Sequence, residues 1–120
     1  MLYPPAALER ASAVVILGDA IFTNQRRQIA ELSMKRRLPS VYGVREYAEA
    51  GGLMDYSVDP VDLEGRAAIY VDKILKGVRP ADLPIEQPTK FELVINLKTA
   101  KALGLTIPQS VLLRADHIIE

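Results

Sequence analysis

The sequence predicts an α/β fold: a parallel, three-layer sheet with helices packed against it. Three observations carry this. Short apolar runs rich in β-branched residues alternate along the chain with segments of helical periodicity. The connections between them are brief, so successive strands lie side by side through right-handed crossovers. Hydrophobic residues make up 49% of the 120 positions and charged residues 25%, the balance of a chain that buries a core, and the length suits a single domain over residues 1–120.

Pro4 and Pro5 predict an extended lead-in, with a helical turn over residues 6–10. Residues 12–17 read as a strand buried on both faces, ending at Gly18 and Asp19. A helix is expected from Ile21 or Phe22 to about Arg37, capped by Thr23 or Asn24, with Phe22, Ile29, Ala30 and Leu32 turned inward. Lys35, Arg36 and Arg37 fall in its last turn, where cations oppose the helix dipole. Pro39 ends it. A second strand follows over residues 40–43, then a short helix over 44–50 stopped by Gly51 and Gly52, then an alternating strand over 53–58. The next helix has Asp59 as N-cap, Pro60 at its first position and Gly77 as its stop; Leu63, Ala67, Tyr70, Val71, Ile74 and Leu75 form its apolar face. Residues 85–87 are a candidate short strand and 91–95 a further one. Asn96 caps a helix that stops at Gly104, Pro108 opens a turn to Leu113, and the chain ends near His117.

Composition narrows the function. Fifteen basic and fifteen acidic side chains give a formal net charge of +0, which removes the phosphate-neutralising excess that nucleic-acid binders carry. Cysteine is absent, so disulfides and thiolate metal sites are excluded. A single histidine leaves no histidine-based metal cluster or triad, Gly51 and Gly52 lack the lysine and spacing of a phosphate loop, and no carboxylate pair stands out as general acid and base. The sequence supports no catalysis, no cofactor and no metal. The first residues lack a basic, apolar export signal and no run has the length of a membrane span, so the chain as written is expected in the cytoplasm.

Five pieces in order carry a resemblance: Ala13 to Asp19 with Phe22 and a basic-ended helix; Leu38 to Gly43; Glu49 to Tyr56; Ala67 to Gly77 with Pro80, Leu83 and Pro84; and Glu86 to Pro108. Together they resemble the C-terminal part of the ABC-transporter substrate-binding proteins with a type I periplasmic binding fold. The resemblance implies one lobe of a two-lobed clamp that closes on an amino acid or similar small molecule and presents it to a membrane permease. It also implies that the first lobe lies outside these residues. The chain is then either a piece of a longer protein or a separate lobe that pairs with another chain. Family members are exported, in tension with the missing signal.

Strand tips in open parallel sheets are where ligands bind, which makes Asp19 the first candidate, a carboxylate suited to a ligand ammonium. Its other reading is a turn and helix cap. Tyr42 ends the second strand, Tyr56 and Ser57 the third; an aromatic wall with a hydroxyl suits a small amphipathic ligand, while margin packing is the alternative. Glu46, after Gly43 and Arg45, is a further candidate that solvation alone also explains. Three function classes follow: a non-catalytic solute-binding lobe, a homodimeric structural module without ligand affinity, and a small-molecule sensor on the same fold.

Overall fold

The structure is a computed structural model describing residues 10–120. The proline lead-in and almost all of the turn expected over residues 6–10 lie outside the described residues. The chain divides into two compact units, one of residues up to Ser57 with Glu92–Glu120, the other Val58–Phe91.

A five-stranded sheet, all of it in the larger unit except Val58 and Phe91, runs in sequential order: β1 (Val14–Ile16), β2 (Ser40–Tyr42), β3 (Met54–Val58), β4 (Phe91–Asn96) and β5 (His117–Ile119). The β1–β2, β2–β3 and β4–β5 pairings are parallel. The β3–β4 pairing runs the other way. Asn96 N–H donates to Leu53 O at 2.8 Å and Asp59 N–H to Lys90 O at 3.1 Å, so numbers fall on one strand as they rise on the other. That register sets Ser57 opposite Glu92 and Asp55 opposite Val94. The α/β order and mostly parallel sheet are those the sequence predicts.

Alternation sorts the side chains. Ile16, Tyr42 and Asp55 are register partners and share one face; Val15, Val41 and Met54 share the other. On the first face Tyr42, Tyr47 and Ala30 form the buried core, with Ile16, Phe22, Ile29 and Val44 packed against it. On the second, Val15 is 70% exposed and Leu17 is also exposed. β1 is therefore an edge strand covered on one side, not the doubly buried strand expected; a continuous apolar run of this length cannot show which face is covered.

The expected long helix is two helices, α1 (Ala20–Asn24) and α2 (Arg26–Lys35). Its N-cap is Asp19, whose Oδ1 accepts from Ile21 N–H at 2.8 Å, rather than Thr23 or Asn24. Ala30 is buried as predicted, whereas Leu32 is exposed. Residues 44–50 form successive turns, not a helix, because Glu46 takes a left-handed φ of 73° that no α-helix holds.

In the smaller unit α3 (Pro60–Leu75) matches its prediction, with Asp59 Oδ1 accepting from Val61 N–H at 2.9 Å and Gly77 at φ 102° beyond it. Arg66 pins the return segment, donating to Asp62 Oδ2 at 3.0 Å, Glu86 Oε2 at 3.3 Å and Thr89 Oγ1 at 2.9 Å, and the Tyr70 hydroxyl donates to Pro84 O at 2.6 Å. Residues 85–87 form no strand; Pro84 and Pro88 on either side lack the donors a ladder needs. Leu63, Ala67 and Tyr70 line a cavity of about 150 Å³ with Glu86 to Pro88, while Val61, Val71 and Leu75 are exposed.

Back in the larger unit, α4 (Leu97–Leu103) starts at Asn96, whose Oδ1 accepts from Thr99 N–H at 3.1 Å, and stops at Gly104 with φ 73°. A four-residue helix, α5 (Gln109–Leu112), precedes β5.

Candidate ligand site at the strand tips

Three parallel strands put the C-terminal tips of β1, β2 and β3 on one edge. Gly43 N–H donates to Ile16 O at 3.4 Å. A Cβ on Gly18 would lie 3.9 Å from Gly43 O, and one on Gly43 3.8 Å from Tyr56 O, so the three segments lie side by side at this edge. The edge that the sequence places at Asp19, Tyr42 and Tyr56 is thus continuous along the backbone.

The side chains divide. Asp19 is exposed at the first tip. Tyr42 is 0% exposed, and its hydroxyl donates to Asp19 O at 3.2 Å, where the Thr23 hydroxyl also arrives at 2.8 Å. It therefore supports the Asp19 turn from below and presents no wall to a ligand. Its ring meets Tyr47 edge-on, with centroids 5.3 Å apart. Tyr56 is exposed on the opposite sheet face from Asp55 and Ser57, so Tyr56 and Ser57 do not act on one ligand atom together. Glu46 is exposed in the turn after β2.

One residue absent from the sequence candidates is Asp55. It is 1% exposed, its Oδ2 accepts from Ala48 N–H at 3.0 Å, and its Oδ1 has no hydrogen-bond partner. Burial pushes its pKa up to about 6; the Ala48 N–H opposes this, Glu49 and Glu46 add to it, and Arg45 opposes it. Two further buried acceptors, Ser57 Oγ and Glu92 Oε2, also lack partners. The signal was present in the alternation of β3, which puts Asp55 and Ser57 on the face that Leu53 buries.

The turns at residues 45–52 are tied from two sides. Asp55 holds Ala48 N–H, Asn96 Nδ2 donates to Ala48 O at 2.9 Å, and Thr99 Oγ1 donates to Gly51 O at 3.0 Å. Asn96 thus caps α4 and anchors the turns with one buried amide. Asn96→Ala removes both bonds and strands the Ala48 carbonyl, so urea denaturation should show a loss of about 2–3 kcal/mol. A loss below about 0.5 kcal/mol would mean that water replaces the amide without penalty.

Comparison with known proteins agrees with this architecture. A family model described as ABC transporter substrate binding protein matches residues 5–119. The chain belongs to the ABC transporter substrate-binding protein family. Among solved structures, it is similar to a conserved domain protein from Vibrio cholerae O1 biovar eltor, with 27% identity and a TM-score of 0.85 over 94% of this chain and 38% of that one. It is also similar to an ABC domain from Streptococcus pneumonia in complex with L-Trp, with 28% identity and a TM-score of 0.84 over 95% of this chain and 39% of that one. A ligand-free, open substrate-binding protein with adhesive properties from Clostridium difficile shares the fold, with 15% identity and a TM-score of 0.66 over 95% of this chain and 39% of that one. No curated protein matches the chain. The chain spans under two-fifths of the length of the solved chains it resembles. Among the described residues no helix is long and apolar enough to cross a membrane, and no three metal-ligating side chains come together.

Proposed function

We propose that this chain is one lobe of a solute-binding protein that holds an amino acid or similar small polar molecule, without converting it, for an ABC permease. The observation that carries the reading is the continuous edge of three parallel strand tips with Asp19 exposed on it, in a chain of this family. The L-Trp complex of a relative supports the ligand class. The Asp19 carboxylate caps α1 and so sets the turn at the edge. Tyr42 and Thr23 fix the Asp19 carbonyl and hence the turn. Ser57 works from the covered face, while Tyr56 and Glu46 border the mouth.

Calorimetric titration of the purified chain with the common amino acids, L-tryptophan first, tests the proposal. A saturable heat is expected, and Asp19→Ala should weaken the binding about tenfold or more, because loss of the cap to Ile21 N–H frees the turn at the first strand tip. If no amino acid binds the chain while a full-length relative binds one under the same conditions, ligand holding by this lobe alone is wrong.

A second reading draws on the apolar sheet face with exposed Val15, Leu17 and Tyr56. Such surface is commonly buried by association, which favours a homodimeric module. Light scattering that gives the monomer mass at millimolar concentration removes it.

A further inference from the structure

We propose that Asp55, Ser57 and Glu92 form a subsite that takes a primary ammonium group, on the sheet face beneath the strand tips. The proposal rests on the solute-binding reading and specifies which end of a solute this lobe grips.

Three acceptor atoms carry it: Asp55 Oδ1, Ser57 Oγ and Glu92 Oε2 are all buried and without hydrogen-bond partners. Asp55 is 1% and Ser57 8% exposed, so neither residue is solvated as a surface group would be. The three belong together. Asp55 and Ser57 are two apart on β3 and share a face, and the antiparallel register sets Ser57 directly across from Glu92. Buried acceptors left unmade are costly, and chains keep them where something else supplies the donors.

The chemistry of the missing donor follows from charge. Asp55 and Glu92 bring two carboxyl groups, and Glu46 and Glu49 act on Asp55 with the same sign. Against them stands the guanidinium of Arg45, which is part-exposed and reaches Glu92 Oε2 only at 3.7 Å, beyond hydrogen-bond length. An anion is repelled from such a place. A primary ammonium carries one positive charge and three N–H donors, one for each orphaned acceptor. Arg45 is the resident cation that an incoming ammonium displaces from Glu92.

The probe is propylammonium chloride, compared with sodium chloride at equal ionic strength. Carbon NMR of the Asp55 carboxyl reads its pKa directly. An ammonium bound to the ionised carboxylate must lower that pKa, and about 100 mM propylammonium should lower it by about one unit. Ser57→Ala and Glu92→Gln should each shrink the shift. An Asp55 pKa identical in the two salts overturns the proposal.

Calorimetry separates it from the function on which it rests. If L-tryptophan binds the unchanged chain and Asp55→Asn equally, the subsite is wrong and solute binding stands. If propylammonium moves Asp55 while no amino acid binds, the subsite stands and the solute reading falls.

Discussion

Gly52→Ala is expected to be the most damaging single-methyl change in this chain. A Cβ at Gly52 would fall 2.7 Å from Cζ of Tyr47 and nearer still to Cδ1 and Cε1. The ring has nowhere to go. Tyr47 is fully buried, its edge meets the Tyr42 ring at 90°, and its hydroxyl lies 2.8 Å from Ser40 Oγ. The backbone is equally constrained, because Gly52 N–H donates to Tyr47 O at 3.0 Å and the turns on either side are held by Asp55, Asn96 and Thr99. Relief requires either loss of the Ser40 bond or displacement of the turns, and the cost should be about 3–4 kcal/mol in urea denaturation. Gly65→Ala is the matched control. That glycine sits in the interior of α3 with open space where its Cβ would go, so alanine there should stabilise by about 0.5–1 kcal/mol. Tyr47→Leu in the Gly52→Ala background should recover part of the loss, since a shorter side chain vacates the space. If Gly52→Ala costs less than about 1 kcal/mol, the Tyr47 packing described above is wrong.

The same glycine shows where the sequence is informative and where it stops. Capping grammar is local and was legible. Asp59 with Pro60, Gly77, Asn96 and Gly104 all sit where residue type demands them, and α3 and α4 follow. The order of strands was legible too, because apolar runs between short loops leave few topologies. What failed depends on distant residues. Whether β1 is covered on one face or two depends on what packs above Val15, which no local pattern states. Residues 44–50 have helical composition, yet the chain is held in turns by Asp55 of the next strand and by Asn96 and Thr99 from far along the sequence. Among the site candidates, sequence logic found the tips but not the directions. Tyr42 looked like a wall because it ends a strand, but strand parity points it into the core. Tyr56 and Ser57 are adjacent in sequence, and adjacency on a strand means opposite faces.

Asp55→Asn should stabilise the chain at neutral pH. The carboxyl has a folded pKa of about 6 against an ordinary value of 3.8, so the fold holds the proton more tightly than the unfolded chain does. Between those two values the native state binds more protons, and stability falls as pH rises through that window. Below about pH 4 both states are protonated and the penalty vanishes; above about pH 6 it is complete, at up to about 3 kcal/mol. Asparagine carries no such term. Its amide oxygen still accepts from Ala48 N–H, and its nitrogen turns a donor toward the face where Ser57 Oγ lacks one. Urea denaturation from about pH 4 to pH 7.5 should therefore show a declining contribution in the unchanged chain that the variant lacks. Asp59 does not mimic this. The hydrogen bond from Lys90 holds its pKa below the ordinary value, so its contribution is lost only as pH falls below that value, outside the Asp55 window. Parallel pH profiles for the two proteins would mean that the Asp55 carboxyl is solvated after all.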